Sequence, residues 1–156
     1  MAVEGKFVPA TQCSIEFGPI NPAECRRLLP FYPDVGGYVS FEGIVRDSNH
    51  GKKVIRLDYE VYEALALREM QRIADQAAEE YKLRRVFVQH RCGSLEVGDI
   101  AVLIQVQSRH RAEAFGGCRY VIDSIKHRVP IWKKEYYDDG TVAWSQCHEH
   151  NSEPSL

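Results

Sequence analysis

At 156 residues, with 44% hydrophobic and 27% charged side chains, the chain lies in the globular range and is long enough to bury a core as one domain over residues 1–156. A formal net charge of −2 excludes a molecule that is basic overall, as a general binder of nucleic acid or anionic membranes would be, so any anion site has to be a local cluster. No apolar run is long enough to span a bilayer, the N-terminal MAVEGKFVPATQC lacks a secretory h-region, and the five cysteines are scattered without a CxxC, so the expectation is a cytoplasmic protein with reduced, packing cysteines.

Residues 1–10 and 147–156 read as loose ends, and Ser14–Phe17 as a short strand. Asn21-Pro22 has the form of an N-cap followed by proline at the first helical position, opening a short helix to about Leu29 that Pro30 and Pro33 stop. Tyr38–Arg46 follows as a strand with Val39, Phe41 and Val45 on one face and Glu42 and Arg46 on the other. Asp47–Lys52 is a loop, and Val54–Tyr62 alternates, with Ile55, Leu57, Tyr59 and Val61 facing inward. Glu63–Lys82 is a long helix whose apolar stripe is Leu67, Met70, Ala74, Ala77 and Tyr81. Arg85–Arg91 and Asp99–Gln107 are strands around the turn-rich CGSLEVGD, the second burying Ile100, Val102, Ile104 and Val106. A second long helix runs from about His110 to Arg128 with Phe115, Cys118, Ile122 and Ile125 inward, and Pro130 ends it. Ile131–Tyr136 and Val142–Trp144 form a hairpin around Asp138-Asp139-Gly140. Paired strands between helices predict antiparallel sheet and the α+β class.

Four groups of residues have chemical potential. Arg109-His110-Arg111 opens the second long helix, where the unpaired N–H groups already carry partial positive charge. Cations there either point to water, with Glu113 as a local partner, or converge with the dipole on a bound anion. Lys126-His127-Arg128 closes the same helix and Lys133-Lys134 follows; at a helix C-terminus cations are favourable without any function, yet a lysine among cations also suits acid/base or nucleophilic work. Lys133 alternates with Ile131 and Glu135 and so shares their face. Arg46 stands at a strand end, and Cys147-His148-Glu149-His150 holds zinc-ligand residue types but no second pair at ligand spacing, so no metal is expected. GxGxxG, P-loop, HExxH and GxSxG signatures are absent, and no cofactor is expected. His110 and Lys126 lie sixteen positions apart on one helix, roughly 24 Å along its axis. They serve one small substrate only if two chains pair so that one helix start meets the other helix end, which predicts a two-fold homodimer with composite sites.

GGYVSFEGIVRD, LDYEVYEALA, VQHRCGSLEVGDIAVLIQV, SRHRAEAF and IKHRVPIWKKE, in this order over roughly residues 36–144, resemble molybdopterin synthase large subunits. The resemblance implies an α+β fold of the hammerhead type with an additional antiparallel β-sheet, its two long helices packed on mixed or antiparallel strands. It implies a sulfurtransferase that converts cyclic pyranopterin monophosphate to molybdopterin by forming a dithiolene. The sulfur comes as a thiocarboxylate on the Gly-Gly tail of a small ubiquitin-like sulfur-carrier subunit, and two large subunits form the central homodimer of a heterotetramer. By position, Lys126 and Lys133 match the family's essential lysines. Arg46, His110 and Arg111 match substrate-binding positions, the last two expected from the neighbouring chain, and Phe41 and Ile122 match apolar wall positions. The family can carry an arginine after the final tryptophan; here the nearest counterpart is His148. Gly36-Gly37 and Gly116-Gly117 are internal and so are not a carrier tail.

Two other functions use the same residues. A non-catalytic adaptor would receive a carboxylate-ended peptide tail in the basic groove and tolerate loss of both lysines. A nucleic-acid binder would use Arg109, Arg111, Arg119, Lys126 and Arg128, but the net charge and the lack of an RNP-like aromatic motif argue against nucleic acid as a partner.

Overall fold

The computed structural model of the chain describes residues 9–146. The expected loose ends fall outside that range, except that Ala10 already opens the first strand.

Two sheets and two long helices make up the fold. In the first sheet β1 (Ala10–Glu16), β5 (Leu83–Arg91), β7 (Ile100–Ser108) and β2 (Gly37–Ile44) lie in that order. β1 runs parallel to β5 and the other neighbours are antiparallel, so this sheet is mixed. β7 has a strand on each side and packed layers above and below. It is therefore buried on both faces from Ala101 to Ser108, not only at the alternate positions the pattern marked. Its buried amides are satisfied in part: Arg85 Nη1 donates to Gln105 Oε1 at 3.0 Å and Gln107 Nε2 donates to the Pro30 carbonyl at 3.0 Å, while Gln107 Oε1 has no partner among the described residues.

α2 (Glu63–Glu80) and α3 (Arg111–Arg128) cover one face of this sheet. α2 is built from strong helix formers, and its buried stripe of Ala66, Met70, Ile73, Ala74, Ala77 and Ala78 is mostly small, which lets α3 pack close. α3 contributes Ala114, Gly117, Cys118, Val121 and Ile125. A Cβ on Gly117 would come within 2.8 Å of the Leu83 side chain, so the Gly116-Gly117 pair is a packing device. Phe115 was expected inward but is 64% exposed, because the buried stripe follows 114, 118, 121 and 125 and position 115 falls off it. On the opposite face of the sheet the short α1 (Pro22–Arg27) packs with Ile20 and Cys25 near Phe87 and Leu103. Its start is as predicted: Asn21 Oδ1 accepts from the Glu24 N–H at 3.0 Å and Pro22 opens the helix.

The second sheet is built on the long β4 (Lys52–Val61), which pairs with β3 (Ser48–Asn49) and β8 (Ile131–Tyr137), and β8 pairs with β9 (Val142–Gln146). β6 (Gly93–Glu96), inside the segment expected to be turn, pairs with the other edge of β4. Ile55 was expected inward but is 53% exposed. The register between β4 and β8 slips between Val54 and Arg56, so Ile55 is the extra residue of a bulge and Val54 takes the buried position. The architecture is the expected α+β arrangement, and no helix among the described residues is long and apolar enough to cross a membrane.

Candidate functional site

Most of the residues singled out in the sequence, Arg46 apart, lie at or near the two ends of α3. At its C-terminal end Phe41, Tyr59, His90, Ile122, Ile125, Lys126 and Ile131 line a cavity of about 100 Å³ whose walls are otherwise apolar. Phe41 reaches it from β2, where it pairs with Ile104. Ile122 and Lys126 are one turn apart on α3 and therefore share a face. Three of the expected site residues, Phe41, Ile122 and Lys126, thus meet at one place.

The three cations closing α3 differ in what they hold. Arg128 is committed to α2: its guanidinium contacts Glu69 at 2.7 and 2.9 Å and Gln76 at 2.7 Å. His127 Nδ1 lies 2.7 Å from the Asp123 carbonyl of its own helix. Lys126 is exposed and has no hydrogen-bond or ion-pair partner among the described residues, so its ammonium is available to an incoming anion.

Lys133 stands on β8 directly opposite Tyr59 of β4, and the two side chains share a face. It does not line the cavity itself. Its Nζ lies 2.8 Å from Glu135 Oε1, with side-chain exposures of 15% and 5%. Glu135 also accepts from Asn49 Nδ2 at 2.9 Å and from the Tyr137 hydroxyl at 2.9 Å. Burial pushes the Glu135 carboxyl up, but the bonds from Lys133 and Asn49 and the Lys133 charge outweigh it and hold the group below its ordinary value. The Tyr137 hydroxyl is pushed up to about 12 by burial and by the carboxylate it serves. The charge of Lys133 is thereby fixed in place by a buried carboxylate.

At the N-terminal end, His110 is the N-cap of α3, in extended conformation and without a side-chain cap bond. The approach to the helix is held by backbone: the Gly36 N–H donates to the Ser108 carbonyl at 3.0 Å, and Ser108 Oγ donates to the His110 carbonyl at 2.6 Å. A Cβ on Gly36 would meet the Arg109 carbonyl oxygen at 2.5 Å, so only glycine allows this close approach of the β2 start. Asp34, Lys82, Arg84, Arg109, His110 and Glu113 line a cavity of about 510 Å³. Arg84 leans on the Tyr32 ring, 4.0 Å from its centroid, and lies 3.8 Å from Asp34. Arg111 is exposed beside this cavity's helix and does not line it. The two ends of α3 do not converge within one chain.

Arg46 is exposed in the link from β2 to β3 and lines neither cavity. The base of that link is anchored, since Val45 bonds through its N–H to the Asp99 carbonyl and through its carbonyl to the Gly98 N–H, both at 2.9 Å. His148 and the Cys147–His150 cluster lie outside the described residues, and within them no three His, Cys, Asp or Glu side chains are grouped to hold a metal ion.

Sequence reasoning missed His90 and Glu135. The alternation Val86, Val88, His90 placed His90 on the buried face of its strand, a signal available in the sequence. The network around Glu135 joins positions more than eighty residues apart, and nothing local announces it.

A sequence model for a family described as MoaE protein matches residues 15–128. Among curated relatives, the molybdopterin synthase catalytic subunit of Nostoc sp. is 41% identical over 132 residues, 84% of this chain and 79% of that one. The subunit of the same name from Pyrococcus abyssi is 43% identical over 115 residues, 74% of this chain and 77% of that one. The crystal structure of molybdopterin synthase from Staphylococcus aureus superposes with a TM-score of 0.77 at 36% identity, covering 84% of this chain and 94% of that one. A protein–protein complex of subunits 1 and 2 of the molybdopterin-converting factor of Helicobacter pylori contains the same fold, with a TM-score of 0.67 at 20% identity over 91% of this chain and 93% of that one.

Proposed function

The chain belongs to the MoaE protein family, and from that premise we propose that it works as the catalytic subunit of a molybdopterin synthase. In this reading it is a sulfurtransferase of molybdenum cofactor biosynthesis that converts cyclic pyranopterin monophosphate to molybdopterin. The observation that carries the assignment of the site is Lys126, a lysine without a partner among the described residues at an apolar-walled cavity that Phe41 and Ile122 also line.

The cysteines support an external sulfur donor. Burial pushes the Cys13 thiol up to about 12 and the Cys118 thiol up to about 11, and raises Cys25 and Cys92 as well, so these groups are thiols and poor nucleophiles at neutral pH. The sulfur then arrives as the thiocarboxylate at the Gly-Gly tail of a small ubiquitin-like subunit, already a nucleophile, and the large subunit has to hold two anions together. Lys126 receives the tail and neutralises the reacting centre. Lys133, fixed by Glu135, acts beside it as acid/base or substrate ligand. The cyclic phosphate of the substrate sits on His110 and Arg111 of a second copy, where the uncapped helix start supplies N–H groups and dipole. Arg46 and His148 are assigned to substrate binding, the latter outside the described residues. A homodimer inside a heterotetramer satisfies this geometry, because one chain keeps its two anion sites at opposite ends of α3. We place the protein in the cytoplasm, in keeping with the four free cysteines among the described residues.

Reconstitution tests the reading. The purified chain, a thiocarboxylated small subunit and cyclic pyranopterin monophosphate should yield molybdopterin, assayed as its fluorescent oxidation product, and Lys126→Ala should cut its formation on the order of 100- to 1,000-fold while the tetramer still assembles. Undiminished product in that variant would remove Lys126 from the mechanism; a bound small subunit with no product from the unaltered chain would favour an adaptor.

A further inference from the structure

Arg46 is carried by the link that leads from β2 to β4, and Lys133 stands on β8. The link folds back as a tight hairpin. Ser48 and Asn49 of β3 pair with Lys53 and Lys52 of β4, and the two residues between them, His50 and Gly51, have φ of 52° and 74°. Two central residues in the left-handed region make the turn that matches strand twist, so Asn49, the last strand residue before it, has its backbone set by pairing. The Asp47 carbonyl accepts from the Val54 N–H at 2.8 Å and closes the other end of the hairpin.

From this hairpin the Asn49 side chain reaches past β4 to the strand beyond it, β8. There its Nδ2 lies 2.9 Å from each oxygen of Glu135. Glu135 is 4% exposed and its carboxyl is held below its ordinary value, so it is an anion that can only accept. The amide must therefore turn its nitrogen to the carboxylate, and one nitrogen spans both oxygens. The remaining bonds divide by oxygen: Lys133 Nζ is 2.8 Å from Oε1, and the Tyr137 hydroxyl donates to Oε2 at 2.9 Å. The terminal torsion of a glutamate is soft and roughly two-fold, so a carboxylate held at one oxygen would still swing and take the lysine with it. Tyr137 holds one oxygen from the same strand. Asn49 holds both from a different element, and so fixes the plane of the carboxylate against the link.

We propose that Asn49 is a positioning residue for Lys133: by bridging both oxygens of Glu135 it aims Oε1, and with it the Lys133 ammonium, and it keeps the link that carries Arg46 in register with that ammonium. The catalytic consequence rests on the sulfurtransferase reading, in which both cations serve the pterin; the chain of hydrogen bonds does not. Arg46 is exposed and has no hydrogen-bond or ion-pair partner among the described residues. Its place is set by its link, anchored at Val45 on one side and at Asn49 on the other. An arginine on a link tied at both ends has less freedom to lose when it meets a substrate. A neutral amide suits the task. A lysine or arginine at position 49 would compete with Lys133 for the carboxylate, whereas an amide fixes the carboxylate and leaves its charge to Lys133.

The test compares Asn49→Asp with Asn49→Ala in the complete complex with the thiocarboxylated small subunit. Asn49→Asp keeps the size of the side chain and removes its N–H groups. Both variants should lower kcat by roughly 10- to 100-fold, up to the cost of a reacting group misplaced by about 1 Å. An ordinary kcat in Asn49→Asp would mark a packing role and overturn the inference. A cycle with Lys133→Gln separates positioning from general support: Asn49→Ala should cost much less in kcat once Lys133 is gone. An equal fold-loss in both backgrounds would overturn it as well. A second measurement needs no turnover. With lysine labelled at ¹³Cε, the Lys133 signal, identified by its loss in Lys133→Arg, should move in Asn49→Ala and in Asn49→Asp while the Lys126 signal stays. If the unaltered chain makes no molybdopterin, the enzyme reading falls and this signal still decides the contact; a Lys133 signal indifferent to both substitutions overturns it.

Discussion

The two ends of α3 carry similar charges in opposite electrostatic settings. At the C-terminal end Lys126, His127 and Arg128 lie with the helix dipole, and the helix closes in order, its cap N–H bonded to the Ile125 carbonyl. At the N-terminal end Arg109, His110 and Arg111 lie against it, without a side-chain cap, beside a cavity about five times larger in volume. Local energetics account for the first cluster almost completely and fail to account for the second. The first end is recognised as functional only through a detail, one unpartnered lysine at an apolar pocket. The second is recognised through its electrostatic mismatch. A helix start that repels its own side chains would be relieved by an anion, as the proposed function requires, and nothing in a single chain brings it to the lysine it would serve.

The most severe way to disturb the C-terminal end is to break the pair that fixes Lys133. Glu135→Ala leaves the Lys133 ammonium, the Asn49 amide and the Tyr137 hydroxyl without their common acceptor. We expect about 3–5 kcal/mol of lost stability, as for a buried ion pair missing one partner, measured by urea unfolding at an unchanged m-value. Lys126→Ala should behave in the opposite sense. Turnover should fall on the order of 100- to 1,000-fold, as when one charge-stabilising donor is removed, while unfolding stays within about 0.5 kcal/mol of the unaltered chain because Lys126 is exposed and unpartnered. Two lysines in one region would then be separated, one bound into the fold and one available to chemistry. Equal stability losses in the two variants would erase that distinction.

That difference was only half legible in the sequence. Alternation placed Lys133 on the same face as Ile131 and Glu135, and the structure agrees, with Ile131 and Glu135 buried at 2% and 4% exposure. It could not show that Asn49 and Tyr137 close around the same carboxylate, since that is a matter of which strands pair. The helix signals were local and sound: Asn21-Pro22 at the start of α1, Pro130 after α3. The failures share a cause in tertiary context. Ile55 left its expected face at a bulge, and β6 was hidden in a glycine-rich stretch that needs β4 to become a strand. Phe115 matched a helical pattern but not the stripe that the closely packed α2 selects. Leu103, Gln105 and Gln107 are buried because β7 is central, a rank in the sheet that no window of sequence records. His90 was missed differently: its position was readable, but that its ring lines a cavity depends on which elements pack around it.

The same histidine gives the pocket an acid sensitivity. Burial lowers the folded His90 to about 4 from an ordinary 6.5, so the unfolded chain takes up a proton at this position before the folded chain does. Its contribution to stability is full above about 6.5 and is lost as pH falls toward about 4. The loss is roughly 3 kcal/mol for a depression of that size. Unfolding free energies at intervals from pH 7 to 4 should show this slope, and His90→Gln should flatten it. An unchanged slope in the variant would assign the acid response to other groups.

The smallest expected effect concerns the other end of α3 and is the most direct measure of the mismatch. Arg111→Glu replaces a cation in the first helical turn by an anion, and Arg111 is exposed. Stability should rise by about 0.3–1 kcal/mol, visible as a higher thermal midpoint at low salt and diminished at high salt. Activity should fall through weaker pterin binding, while the small subunit binds as before, because its tail is assigned to the far end of the helix. Mixing Arg111→Glu chains with Lys126→Ala chains carries the argument to its end. At limiting pterin each is impaired as a homodimer, but in a mixed dimer with composite sites one site receives both defects and the other receives neither. Recovery of about a quarter of the unaltered activity, from half of the dimers each with one sound site, would show that the helix start and the helix end act on one substrate from two chains. No recovery on mixing, with subunit exchange verified, would overturn the composite site, because two defects on different chains would then never leave one site sound.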